Sequence, residues 1–426
     1  MKKKWIKNFD ELAISENRKL ALEIIEAGID AINTEKAIND SVKLGNNVLS
    51  ISGESFDLSK FKKIKVVGFG KASVDAAIAL EKILGSKINE GAVIGLAKAN
   101  SKYIETFSGT HPKPSQANVR AGERIYEIVK DSDEGDLIIV IVSGGGSALL
   151  CHTESECEQG ISLYDEFLKS GETINEINTI RKHLSSLKGG GLAKIAYPAT
   201  VVGLIFSDIP GNRFYDVASG PTYKDESTVV DAQNIISKYN LGNFNLLETP
   251  KEDKYFKKVH NFVLVSNRSA VKTMERKSEE FGLSVEVVST EIYDEINVAL
   301  EKIFKAKKNN AVVLAAGEPK IKVGNKGGIG GRNLHMGLSA IKRKLIDEDS
   351  VFISFASDGM DNSDVAGAIV DKNTIEKMGK LGLNVVDYLD RFDSLSFFKK
   401  TGDIIITGPT GVNVSDLMIL ISKNAK

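Results

Sequence analysis

The sequence predicts an α/β protein of two α/β domains, the first a doubly wound, parallel-sheet domain. Three observations carry this: short β-branched runs recur between amphipathic helical stretches; a polar or glycine-rich turn closes each run; and the 426 residues suggest two or three folding units at about 150 residues each. Strands that alternate with helices specify a parallel sheet covered on both faces.

Residues 16–31 (ENRKLALEIIEAGIDA) place apolar side chains at helical spacing, and after a polar stretch KIKVVGFG (63–70) reads as a strand. KASVDAAIALEKIL then reads as a helix, GAVIGLA as a strand, SQANVRAGERIYEIV as a helix and LIIVIV as a strand apolar on both faces. Further strands are expected at TVVGLIFSD (200–208), FVLVSN (262–267), AVVLAAGE (311–318), VFISFASD (351–358) and DIIITGPTG (403–411). The polar segment 239–258 offers few packing positions, which divides the chain into domains 1–240 and 241–426, with the last strands free to return to the first domain. The sequence contains no internal repeat or low-complexity tract.

Lys and Arg number 56 against 57 Asp and Glu, a net charge of -1, which argues against nucleic acid or an anionic membrane as partner. The longest apolar runs fall far short of the roughly 20 residues of a membrane helix. The basic start, MKKKWIKNFDEL, lacks the apolar core of a signal peptide, so a cytoplasmic protein is expected. Cys151 and Cys157, in CHTESEC, read as reduced thiols rather than zinc ligands, because a structural zinc takes four ligands.

In an open α/β sheet ligands bind beyond the carboxyl ends of the strands, and the polar motifs gather there. GFGKAS follows the first strand of this sheet and SGGGS follows LIIVIV. Gly at 38 of 426 positions predicts about 0.3 GGG triplets by chance, yet the chain has two, which points to close backbone approach. Ser143, Gly144, Gly145, Gly146 and Ser147 are candidates for an anion-binding concavity, with Ser147 as cap of the next helix. The second triplet follows INEINTIRKHLSSLK, whose Ile174, Ile177, Ile180, Leu184 and Leu187 form a core stripe, with Thr173 and Glu176 as a capping box. The opposite face presents Asn178, Arg181, Lys182 and Ser185, able to grip an anion, and Lys188, Gly189 and Gly190 complete the candidate binding segment.

GFGKAS is neither a dinucleotide fingerprint nor a Walker A loop: Ser73 stands at the third glycine position, and Ala72 where a magnesium-binding hydroxyl would be. It leaves Gly70 and Lys71 at a helix N-terminus, where a phosphate would be met. GGIGGRN delivers Arg332 from a glycine-flanked backbone, a geometry suited to a transferring phosphoryl group. The acids Asp208, Asp216, Glu318, Asp358, Asp361 and Asp364 lie mostly at strand ends. Mg²⁺ takes one or two of them, expected as Asp208 and Asp358, while the rest orient cations or form turns. Asp364, before VAGAIV, reads as a helix cap. His111, in GTHPKP, reads as structural.

Together VVGFGKAS, GTHPKPSQAN, IVSGGGSALL, INTIRKHLSSLKGGGLA, FSDIPGNRFYDVASGPT, SNRSA, GGRN, SDGMDNSDVAGAI and ITGPTGVNVSDL resemble the class II glycerate kinases, from the first strand to the C-terminus. The resemblance implies a larger Rossmann-like N-terminal domain, a smaller C-terminal MOFRL domain and an active site in the cleft between them. It implies transfer of the γ-phosphoryl group of ATP to the 2-hydroxyl of D-glycerate with Mg²⁺, giving 2-phosphoglycerate. Lys71, Asp208 and Arg332 match the family's charged catalytic positions, and Asn267, Glu318 and Asn413 fall on motif positions for ligand binding. Arg181 or Lys182 is expected to meet the substrate carboxylate. The chain departs from the family at Ala316-Gly317-Glu318-Pro319, usually Gly-Gly-Glu, and at Gly331-Arg332-Asn333-Leu334-His335, usually G-R-N-Q-E. Both departures bear on acceptor preference. Kinases of other small sugar acids and hydroxypyruvate reductase are the alternative activities, the latter disfavoured by the failed fingerprint. A homodimer is one possible assembly.

Overall fold

The computed structural model describes residues 4–170, 174–211, 213–324 and 327–423, and the chain forms two compact units. The first unit comprises 34–209 and 213–264; the second comprises 1–33, 210–212 and 265–426. The expected division was 1–240 and 241–426. The observed break lies later because strand β9, Val259–Val265, extends the first unit's sheet, and residues 1–33 join the second unit.

In the first unit a three-stranded antiparallel sheet, β1 (Val42–Gly45), β2 (Val48–Ile51) and β3 (Glu54–Asp57), occupies the stretch that the sequence marks only as polar. The main sheet contains β4 (Lys63–Phe69), β5 (Glu90–Gly95), β6 (Glu105–Ser108), β7 (Asp136–Ser143), β8 (Thr200–Phe206) and β9, in the order β6-β5-β4-β7-β8-β9. The pairings from β6 through β8 are parallel, as the alternation predicts. Every residue of β7 is buried, which its unbroken apolar run requires. Phe69 of β4 is in register with Val142 of β7, so the GFGKAS and SGGGS turns emerge side by side.

The second unit has a mixed sheet: β10 (Ser284–Ile292), β11 (Ala311–Gly317), β12 (Ser350–Ala356), β13 (Gly367–Val370), β14 (Ile404–Ile405) and β15 (Asp416–Ser422), in the order β10-β11-β15-β12-β13-β14. The strand expected over 403–411 shrinks to two residues, because glycine and proline in TGPTG end it. The apolar run at 416–422 instead supplies an interior strand, antiparallel to both β11 and β12. VAGAIV contributes β13, so Asp364 caps no helix. Thr173 lies outside the described residues. Among the described residues no helix is long and apolar enough to cross a membrane.

Candidate active site

In the first unit the two adjacent turns interlock. Gly70 has φ +117°, and a Cβ there would fall 2.2 Å from Ser143 Oγ and 2.4 Å from its carbonyl oxygen. The amide of Lys71 donates to Gly144 O at 2.8 Å, and that of Ala72 donates to Ser143 Oγ at 3.1 Å. Ser143 therefore braces the lysine-bearing turn. Gly145, at φ +78°, lies under the Lys71 side chain and beside His111: an added Cβ would stand 3.1 Å from Lys71 Cγ and 3.2 Å from His111 Cδ2. One at Gly144 would lie 2.1 Å from Asp208 Oδ2. A glycine triplet is thus bordered by a cation, an imidazole and a carboxylate. Among the described residues no protein group accepts from the amides of Gly144, Gly145 or Gly146, the condition for an anion-binding nest. Burial, then the charges of Lys71 and Arg181, push the His111 pKa down to about 4, so the ring is neutral at pH 7.

Ser147 does not cap the following helix. Gly145 holds the cap position, and the Ser147 hydroxyl pairs instead with that of Ser219 at 2.9 Å.

The helix Ile174–His183 buries Ile177 and Ile180 against Leu163, Ala232 and Ile236, as its stripe predicts. On its other face Lys182 pairs with Asp216 and Asp225, at 3.3 and 3.1 Å. Lys188 donates to Glu156 at 2.5 Å and to Leu150 O at 2.7 Å. The amides of Gly189 and Gly190 donate to the carbonyls of Ser219 and Gly220, so this triplet clasps a neighbouring loop. Its amides are occupied where those of the first triplet are open.

In the second unit Arg332 begins the helix Arg332–Lys342. Its Nε donates to Asp416 Oδ2 at 2.5 Å, and its Nη2 lies 3.5 Å from Glu318. Asn333 donates to Asp416 at 2.8 Å and to Asp361 at 3.1 Å, while Asp361 also accepts from the amides of Asn333 and Leu334 and so caps the helix. Burial drives the Asp416 pKa up to about 7 despite the opposing charge of Arg332. Burial also opposes the Arg332 charge, but Asp416 and Glu318 outweigh it and hold the guanidinium above its ordinary range. Arg332, Asp358, Asn413 and Asp416 line a cavity of about 460 Å³. Asn413 Oδ1 accepts from Ser415 N, and Asp358 Oδ1 from Met360 N, both being turn contacts. Asn267 donates to Thr290 O and Ser415 Oγ, and its Oδ1 is buried without a partner among the described residues. Sequence reasoning missed Asp416; the available signal was an acid opening an apolar strand directly after a glycine-rich loop. Among the described residues no group of three or more His, Cys, Asp or Glu is placed to hold a metal.

Residues 20–248 match a family described as a domain of unknown function, DUF4147, and residues 311–416 match the MOFRL family. The glycerate 2-kinase of Pyrococcus horikoshii is 32% identical over 95% of this chain and 97% of its own length. The chain belongs to the MOFRL-containing glycerate kinase family. Its fold matches the crystal structure of glycerate kinase from Thermotoga maritima, with a TM-score of 0.84 and 31% identity, covering 95% of this chain and 99% of that one. A relative from Agrobacterium vitis, provisionally named a hydroxypyruvate reductase, is 32% identical over 84% of this chain and 98% of its own. Of this glycerate kinase family member's departures, Leu334 is buried in the core, while His335 lines the cavity and stacks on Phe392 with ring centroids 5.5 Å apart.

Proposed function

We propose that the chain is an ATP-dependent glycerate 2-kinase that transfers the γ-phosphoryl group to the 2-hydroxyl of D-glycerate. The observation that carries this is the open-amide glycine loop beneath Lys71, in a chain alignable over nearly its whole length with proteins named glycerate 2-kinase. Phosphoryl transfer asks the protein mainly for positioning and for charge placed against the phosphoryl oxygens. Lys71 and the amides of Gly144, Gly145 and Gly146 serve the phosphates. Arg332, held by Asp416 and Glu318, presents a guanidinium to the transferring group.

Magnesium fits at Asp208, the carboxylate that lies against the open loop, because Mg²⁺ takes only one or two protein carboxylates and completes its shell with water and phosphates. When bound, the ion neutralises phosphate charge. Asp358 is engaged in its own turn and is the weaker ligand. The reductase reading is favoured by the name of the Agrobacterium vitis relative, but the first turn speaks against it: the hydroxyl of Ser73, at the third fingerprint position, lies within hydrogen-bond distance of Gly70 O and Ile94 O, closing the turn where a dinucleotide would need glycine. With ATP as donor and both cysteines as free thiols, the cytoplasm is the proposed location.

The deciding measurement pairs two assays on the full chain. ADP release is expected with D-glycerate and MgATP, and no NADH oxidation with hydroxypyruvate. NADH oxidation without ADP release would overturn the kinase reading.

A further inference from the structure

Three cations lie close together along one stretch of the first unit, and the structure treats them differently. Lys182 is shared between two buried carboxylates, and Lys188 is spent on Glu156 and a carbonyl. Arg181 has no carboxylate partner among the described residues, and burial disfavours its charge. Enclosed by protein, it retains only partial solvent contact. A half-buried cation without a counter-charge is costly, and such a group persists where a ligand supplies the missing charge.

The helix that carries Arg181 is tied to the open glycine loop by hydrogen bonds. Asn178, one turn earlier on the same face, accepts from Ser219 Oγ at 3.4 Å, and Ser219 pairs with Ser147 of the loop at 2.9 Å. Arg181 and Lys71 both act on His111, which lies against Gly145. Lys71 and the neutral His111 thus border Gly145, Asp208 is pressed against Gly144, and the charge of Arg181 is felt at the same imidazole. Lys71 emerges from the turn beside the loop, whereas Arg181 stands on a separate helix that is tied to the loop through Asn178 and Ser219.

We infer that Arg181, and not Lys182, receives the carboxylate of the acceptor substrate, which selects 2-hydroxy acids over neutral polyols at this site. The inference rests on the proposed kinase reading and adds the residue that recognises the acid. A guanidinium suits the role because its planar fork matches a carboxylate with two parallel hydrogen bonds. Lys182, already neutralised, positions the loop from Phe214 to Gly220 through Asp216.

Steady-state kinetics of full-length Arg181→Met and Arg181→Lys test this, with D-glycerate and with glycerol as the acceptor lacking a carboxylate. Losing a desolvated charge pair predicts a KM for D-glycerate raised about 100-fold in Arg181→Met, with the KM for ATP changed less than about threefold. The preference for D-glycerate over glycerol should fall by a similar factor. Arg181→Lys should lie between the variant and wild type, and it keeps the test available if the methionine variant misfolds. A KM for D-glycerate left within about threefold of wild type, or an equal rise in the KM for ATP, would overturn the assignment. Absence of D-glycerate-dependent ADP release in the wild type would instead sink the kinase reading itself.

Discussion

Arg332 is held in place: Asp416 and Glu318 engage two of its nitrogens before any substrate arrives. Such preorganisation matters most when charge moves, so Arg332→Ala is expected to lower kcat by a factor on the order of 10³, with a smaller change in KM. Arg332→Lys should recover little, because a point charge does not reproduce the fork. Lys71→Ala should be comparably severe, whereas a variant that folds normally and shows only a raised KM would mark its residue as a ground-state binder. Asp416 adds a pH signature. Its pKa near 7 exceeds the ordinary carboxylate value, so the stability it contributes is fully present below about pH 4 and is lost as pH rises through 7. Activity should run the other way, since protonation below pH 7 removes the charge that holds Arg332. Between pH 5.5 and 8.5, by about one unit either side of the transition, kcat should climb while the melting temperature falls, and Asp416→Asn should flatten both trends. Lys71 was legible in the sequence because it follows a strand and its glycine turn, and Arg332 because glycines precede it at a helix start. Asp416 was not, because its pairing with Arg332 depends on where a distant strand inserts.

At the scale of elements, the first sheet was readable because β4, β7 and β8 are apolar runs between helices, a pattern that local sequence specifies. The second sheet was only partly readable. Its interior strand, Asp416–Ser422, is the last in the chain and pairs with β11, about 100 residues earlier, which no local periodicity reveals. The two interlocked turns of the first unit give a contrast at this scale. A Cβ at Gly70 would strike the Ser143 carbonyl oxygen, which belongs to the backbone of a buried strand, so Gly70→Ala should destabilise by more than about 1 kcal/mol in urea denaturation. At Gly145 the added atom would meet only the side chains of Lys71 and His111 at 3.1–3.2 Å. Gly145→Ala should therefore spare the fold more than Gly70→Ala does but displace Lys71, lowering kcat/KM on the order of 10²-fold. Equal losses of stability in the two variants would refute the distinction.

At the scale of the whole molecule, the two ends of the chain meet in one unit. The helix Glu16–Ala31 lies within it, with Gly28 so close to Met274 that an added Cβ would fall 2.8 Å from its Cγ. Arg18, only 1% exposed, donates twice to Asp371 and once to Asp403, at 2.6–2.8 Å. Asn17 caps the carbonyls of Asp349 and Lys423 at 3.2 and 2.8 Å. A domain boundary drawn from the middle of the chain cannot see this, because the helix is amphipathic by itself and names no partner. Arg18→Ala should cost about 3–5 kcal/mol, the penalty for leaving the buried Asp371 without its cation and Asp403 with Lys377 alone. The same contacts predict the behaviour of fragments. Residues 265–426 alone would expose the Met274 face and leave Asp371 and Asp403 buried without their arginine, so a cooperative urea transition is not expected from them. Joining residues 1–33 to that fragment through a flexible Gly/Ser linker should restore one, and Arg18→Ala in the joined chain should lower its midpoint. A sharp, cooperative transition in 265–426 by itself would show that the N-terminal helix only decorates a unit complete without it.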